Sequence, residues 1–275
     1  MRRSDVYGAL TARFGTAPEV PDAAFEGLIG LAARGSCRRF LPDPVPTAWI
    51  DCLAAVALSA PTKSDLQQRD IIVLQSVEQR KKLVDLVAGQ EWLAAAPLIL
   101  VFCGNNRRQR QLHDWHGTAF ANDHLDAVIN ATGDAALALG AFVTAAEAVG
   151  LGCCPISAVR NEAGAVSELL GLPKHVFPFA GLAVGYPADP PQISMRLPMA
   201  ATYHVDRFSD VEVRTQITAY DAARASAQPY PSQRAKDQFG PSDPYTWSED
   251  KVRQYSQPER ADFGAYLRGQ GFNLD

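Results

Sequence analysis

Three arginines, a serine and a glycine crowd into RGSCRR at positions 34–39. Arg34, Arg38 and Arg39 each carry a planar guanidinium fork that matches a phosphate. Ser36 adds a hydroxyl, and Gly35 lets backbone N–H groups come close to an anion. The chemistry this suggests is binding, a cradle for a phosphate. The same residues would also suit the basic end of a helix, where the macrodipole favours cations. The spacing is neither a Walker A loop nor GxGxxG, so neither a P-loop nor a Rossmann turn is indicated.

Other constellations are weaker. HDWHGTAFANDH (113–124) holds His113, His116 and His124 with Asp114 and Asp123. Imidazole and carboxylate suit Zn²⁺ or Fe²⁺, but without an HExxH spacing these side chains read as solvated or pocket-lining, and no metal is expected. Cys153 and Cys154 have apolar flanks that supply no cation to activate a thiol, so inert packing is expected. Trp92, Trp115 and Phe120 suit stacking on an aromatic substrate, with Trp92 the one best placed for a core. No Ser-His-Asp order and no carboxylate pair demands a catalytic role, so no catalytic side chain is expected.

The elements that must position these residues follow from periodicity. DAAFEGLIGLAAR (22–34) reads as a helix capped by Asp22, with Phe25 on its apolar stripe, and 47–60 as a second helix capped by Thr47. RDIIVLQS (69–76) reads as a strand and 76–96 as a helix. PLILVFCGN (97–105) is apolar on both faces, as a doubly covered strand is. The stretch 124–152 is the longest helical pattern. It is apolar nearly all round and rich in Ala and Gly, so it must be covered on every side, by a large core or a dimer interface. A short helix ending at Gly171 and a buried strand, VFPFAGLAVGYP, follow. Beyond about residue 205 the prolines of AQPYPSQRAKDQFGPSDPYTW predict an extended excursion before a short terminal helix.

The chain has 275 residues, 47% of them hydrophobic and 20% charged, with a formal net charge of -4. That charge argues against a nucleic-acid binder. The apolar runs fall short of the roughly 18 residues of a membrane span, and no secretory core follows the first arginines. Five cysteines without CxxC spacing suit a cytoplasmic protein with reduced thiols.

Five stretches in order carry a resemblance. They are RGSCR, SAPTKSDLQQR (59–69), AGQEW (88–92), GLGCCPISAVR (150–160), and SELLGLPKHVFPFAGLAVGYP (167–187) with MRLP (195–198). Together, from about residue 25 to the end, the chain resembles the FMN-dependent nitroreductase family, in its NADPH-dependent, oxygen-insensitive branch with a long C-terminal extension. The resemblance implies an α+β sandwich, with a central, mostly antiparallel sheet flanked by helices, in an intertwined homodimer. It implies an N-terminal segment (1–24), an FMN-binding core (25–204) and an extension (205–275) that wraps the partner subunit or the active site.

It also implies roles for residues. Arg34, Gly35, Ser36 and Arg38 would hold the FMN phosphate, with Arg196 in place of the family's K-x-R and Ser194 where the lysine is usual. The family's PSxxNxQP stretch would line the flavin from the partner subunit. Here it is Pro61, Thr62, Lys63, Ser64, Asp65, Leu66, Gln67 and Gln68, with Asp65 for Asn and Gln68 for Pro. The charge of Asp65 would lower the flavin's reduction potential. Gln90 would hydrogen-bond the ring. Pro155, Ile156, Ser157 and Ala158 would pack on its face, Ser157 and Ala158 replacing two glycines. Arg234 and Lys236 would receive the NADPH 2′-phosphate, and 113–124 would form a pocket lid.

The implied activity is an NAD(P)H oxidoreductase, with FMN as cofactor and NADPH or NADH as co-substrate. It would reduce nitroaromatics, quinones or related small electrophiles by ping-pong hydride transfer through flavin N5, with no nucleic-acid or membrane partner. The flavin carries such chemistry while the protein binds, orients and tunes it. Two alternatives stand beside it. One is a flavin reductase or narrow-substrate reductase, motivated by Asp65, Ser157 and Ala158. The other is a cofactor-free binding protein, motivated by Ser194.

Overall fold

A computed structural model describes residues 3–17, 26–87 and 89–275. The expected cap Asp22 and the apolar Phe25 lie outside these residues. The chain forms two compact units, Met1–Gly35 with Gln192–Glu259, and Ser36–Pro191 with Arg260–Asp275. Each unit thus joins segments distant in sequence.

The larger unit is built on a four-stranded antiparallel sheet in the order β1-β2-β4-β3. The strands are β1 (Arg69–Leu74), β2 (Leu98–Asn105), β3 (Gly152–Ile156) and β4 (Val176–Gly185). Every residue of β2 is buried, as its unbroken apolar run requires. Alternation sends Leu98, Leu100 and Phe102 to one face, where they pack with Leu53, Phe142, Leu182 and Val184. Ile99, Val101 and Cys103 point the other way, among Leu83, Leu93, Val166 and Ala183. Strand β3 escapes a pattern search because Cys153-Cys154-Pro155 has neither alternation nor β-branched side chains. It is an edge strand, where proline's missing N–H is tolerated.

One face is covered by α3 (Thr47–Leu58) and α6 (Leu125–Ala148), the other by α4 (Val77–Leu86) and α7 (Ala163–Leu170). The cap of α3 is Pro46, whose carbonyl accepts from Trp49 and Ile50 at 2.9 and 3.2 Å; Thr47, expected as the cap, is already helical. The helix expected over 76–96 ends at Leu86, ahead of Gly89, a weak helix former. A separate 3-10 turn covers Glu91–Ala95. Between β2 and α6 lies α5 (Arg107–Trp115), and α11 (Phe263–Gly269) closes the unit.

The 24-residue α6 is long and apolar enough to cross a membrane by length and composition alone. It instead buries Ala131, Ala135, Ala138, Phe142 and Ala146 in the core. Ile129 and Leu137 remain about half exposed on its other side, at 56% and 48%. Cys103, Cys153 and Cys154 are buried.

In the smaller unit, α1 (Arg3–Phe14) packs on α2 (Glu26–Ala33) through Val6, Ala9 and Ala32, with Ile193 alongside. Helices α8 (Val213–Ala227), α9 (Lys236–Phe239) and α10 (Trp247–Gln254) occupy the region expected to be an extended excursion. Tyr220 and Asp221 anchor α8, the Asp221 carboxylate accepting the Ser248 N–H at 2.9 Å.

Candidate functional site

In the larger unit, the segment after Ser36 is laid along the sheet by backbone hydrogen bonds. The Cys37 N–H donates to the Cys153 carbonyl at 2.9 Å, and the Leu41 N–H to the Tyr186 carbonyl at 2.9 Å. A side chain at Gly152 would collide with Cys37, 2.6 Å from its Cβ, so this approach requires glycine. The result sets Ser36 and Arg38 beside β3, the strand that runs into Pro155–Ala158. Both side chains are exposed. The Arg38 guanidinium lies over the Trp92 ring, 6.0 Å from its centroid, and the Trp92 indole N–H donates to Gln90 Oε1 at 2.9 Å. Arg38, Trp92 and Gln90 therefore form one chain of contacts. Among the described residues no acceptor takes the Arg38 N–H groups. Arg39 turns away to an exposed ion pair with Asp189 at 3.1 Å. The Cys37 thiol, pushed above its ordinary pKa chiefly by burial, is not an activated nucleophile.

Arg34 and Arg196 belong to the smaller unit, where a residue unremarked in the sequence links them. The Arg13 side chain is 7% exposed and donates to the Ala32 carbonyl through Nε (3.1 Å) and Nη2 (3.0 Å). Nη2 also reaches the Arg34 carbonyl (2.5 Å), and Nη1 the Ser194 carbonyl (3.3 Å). The Arg13 carbonyl accepts the Arg196 N–H at 2.6 Å. Gly35 abuts the Gln192 backbone so closely that a Cβ would lie 2.3 Å from its oxygen.

The loop 61–68 is held in an unusual backbone path. Ser64, Asp65 and Gln67 have φ of 48°, 56° and 53°, left-handed values that β-carbon sterics disfavour. The loop is tied to α6 by Asp134, 2% exposed. Its Oδ1 accepts the Lys63 N–H at 2.9 Å and its Oδ2 the Gln68 N–H at 2.8 Å. Gln68 is buried, its Oε1 accepting from Asn106 Nδ2 at 2.7 Å, which gives the glutamine in the usual proline position a structural task. Lys63 Nζ donates to Ser64 Oγ at 2.9 Å, and Gln67 Nε2 to Asp65 Oδ1 at 3.1 Å. Pro61 is exposed and Thr62 half-buried. Among the described residues, no hydrogen bond or ion pair joins this loop to Ser36 or Arg38.

At the end of β3, Ile156 is buried, Pro155 and Ser157 are exposed, and Ala158 packs against the core. Neither Ser157 nor Ala158 has a positive φ, so side chains replace glycine there without backbone strain. Ser157 Oγ accepts from Arg260 Nη2 at 3.3 Å, and Arg260 Nε donates to Asn161 Oδ1 at 2.8 Å. Arg260 follows the proline-rich stretch, and nothing in its local sequence marks this contact.

Among the described residues no group of three or more His, Cys, Asp or Glu is placed to hold a metal ion, and the side chains of 113–124 have other contacts. His124 caps α6, accepting the Asp126 N–H at 3.4 Å. His113 packs edge-on against Phe120 at 5.2 Å, and Phe120 also carries Arg110, 4.7 Å above its ring. His116 ends α5, and Trp115 is 73% exposed. In the smaller unit Arg234 donates through Nε to the buried carboxylate of Asp250 at 3.2 Å, and Lys236 is exposed at the start of α9. Burial alone would raise the Asp250 pKa, but bonds from Lys251 and Tyr245 hold it below the usual carboxylate value. A recess of about 340 Å³ beside β1, with Ala54, Leu58, Ile71 and Arg69 in its wall, does not reach Arg38, Gln90 or Ser157.

The sheet order, the long helix and the arginine-rich segment beside β3 match a known class. Residues 31–186 match the Nitroreductase family and residues 194–275 the C-terminal domain of that family, and the chain belongs to it. It is 33% identical to an FMN reductase (NAD(P)H) of Bacillus subtilis, over 91% of this chain and 99% of that protein. It is 32% identical to an oxygen-insensitive NADPH nitroreductase of Salmonella typhimurium, over 88% and 96%. The solved structure of NfrA2 from B. megaterium superposes with a TM-score of 0.83 at 31% identity, covering 91% of this chain and 99% of that one.

Proposed function

We propose that this FMN-dependent NAD(P)H oxidoreductase of the nitroreductase family takes hydride from NADPH and delivers it to small electrophiles, nitroaromatics or quinones, working in the cytoplasm as a homodimer. The observation that carries the reading is the placement of Ser36 and Arg38. The Cys37–Cys153 hydrogen bond fixes a hydroxyl and a guanidinium with uncommitted N–H groups beside the strand that leads to Pro155–Ala158. That donor set fits a phosphate monoester. In the smaller unit, Arg13 fixes the backbone of Arg34 and Arg196, the further cations that the family resemblance assigns to the phosphate. When bound, the flavin supplies the hydride chemistry.

The chain's own residues bind and tune. Gln90, its Oε1 occupied by Trp92, keeps its amide N–H₂ to donate to the ring. Exposed Pro155 would offer an apolar surface to the isoalloxazine, with Ile156 packed in the core behind it and Ser157 and Ala158 at the edge. Pro61, Thr62, Lys63, Asp65 and Gln67 would line the ring of the second subunit. The exposed Ile129 and Leu137 of α6 give that subunit an apolar face to cover. Arg234 and Lys236 would take the 2′-phosphate of NADPH.

An absorption spectrum of the purified protein followed by anaerobic NADPH tests the reading. Bound-flavin bands that bleach on addition support it. A colourless chain that takes up no added FMN overturns it and favours a binding role for the fold.

A further inference from the structure

The carboxylate of Asp134 is the one acidic side chain buried on the long apolar helix α6, where an unpaired charge would be costly. It is satisfied by the backbone N–H groups of Lys63 and Gln68, one to each oxygen. Those two residues bracket Ser64, Asp65 and Gln67, three non-glycine residues in the left-handed region. Each such conformation is disfavoured and persists only where surroundings over-determine it. Loop and carboxylate are therefore complementary. The strained turn aims two N–H groups at one point, and the fixed negative charge at that point rewards the turn. Helix α6 is anchored by fully buried alanines and Phe142, so the clamp is referred to the rigid core rather than to another loop.

We propose that Asp134 is a positioning residue for the flavin. By clamping both ends of the 63–68 turn it presets the path of the segment that carries Asp65 and Gln67, so that the isoalloxazine meets an ordered wall before it binds. Asp134 touches no reacting atom and acts only through the loop. The inference rests on the proposed FMN site.

The test uses the full chain and free FMN. In the wild-type protein without flavin, the Lys63 and Gln68 amides should exchange slowly with deuterium while the exposed Ser64 amide exchanges fast. Asp134→Asn replaces one acceptor oxygen by a donor, so one clamp bond must break. FMN affinity, read by flavin fluorescence, should fall about tenfold or more, and the absorption envelope of bound flavin should shift. Ala138→Gly, on the same helix, is the control for plain destabilisation. It should lower the melting temperature and leave FMN affinity and spectrum unchanged.

An Asp134→Asn protein that binds FMN with wild-type affinity and spectrum overturns the inference, as does loss of affinity in Ala138→Gly equal to that in Asp134→Asn. Should Asp134→Asn not fold, the wild-type exchange rates decide, and unprotected Lys63 and Gln68 amides reject the clamp. A wild-type chain that takes up no FMN instead sinks the functional reading, a result the exchange data do not mimic.

Discussion

The Arg13 side chain donates to the Arg34 carbonyl at 2.5 Å, and its own carbonyl accepts the Arg196 N–H at 2.6 Å, so one buried arginine holds both arginine-bearing segments of the smaller unit. Arg13→Ala leaves the carbonyls of Ala32, Arg34 and Ser194 without this donor. Losing a charged donor to buried acceptors costs about 2 kcal/mol or more, to be read from urea unfolding. FMN affinity should fall as well. Arg13→Lys should recover only part of either loss, because an ammonium cannot reproduce the fork's two-sided reach.

Arg38 offers a sharper separation of roles. Arg38→Ala should weaken FMN binding by roughly ten- to a hundredfold, the range of one charge-assisted hydrogen bond to phosphate. Riboflavin, which lacks the phosphate, should bind both proteins alike. Parallel titrations check this, and an equal loss for both flavins would place Arg38 at the ring instead.

The carboxylate of Asp65 is tethered within its loop by Gln67 Nε2 at 3.1 Å. A fixed negative charge near the isoalloxazine disfavours the reduced, anionic flavin, so Asp65→Asn should raise the midpoint potential. Equilibration of the bound flavin with a redox dye checks the direction.

Arg234 is oriented by Asp250 through Nε, and its side chain is half exposed. Arg234→Ala should raise KM for NADPH about tenfold, with KM for NADH and kcat for both unchanged. Steady-state kinetics with each nucleotide give the comparison.

Glu249 supplies a pH dependence. Its pKa is lowered, first by the hydrogen bond from Ser242 and then by Arg253, whose Nη2 lies 2.6 Å away. A depressed carboxylate pKa contributes stability that is complete above the unfolded value, about 4.3, and is lost as pH falls through the folded one. Glu249→Gln should therefore be less stable than wild type at pH 7, and the difference should close toward pH 3. Thermal unfolding of both proteins at the two pH values reads it.

The sheet and its covering helices were largely legible, because β2 and α6 carry periodicities that only a covered strand and a core helix produce. What stayed hidden has physical reasons. Strand β3 is five residues long and contains proline, and α8 buries only Tyr220 and Asp221, so no apolar stripe marks it. Ser36 and Arg38 stand out as candidates because residue types crowd there. Arg13, Asp134 and Arg260 do not, since each acts on residues distant in sequence and carries no local signature. Asp134 did leave one trace, an acid in the middle turns of an apolar helical pattern whose other acids, Asp126 and Glu147, lie in its end turns.

The stacking of Arg38 on Trp92 gives the native chain its own fluorophore for testing the proposed cradle. A phosphate drawn to Arg38 changes the charge above an indole whose N–H is already fixed by Gln90, and its emission must respond. Of the other three tryptophans, Trp49 and Trp115 are solvent-exposed and Trp247 packs edge-on against Tyr220 in the smaller unit, so these supply the background. Occupancy by inorganic phosphate, a nucleotide or a colourless flavin fragment can thus be followed without dye or label.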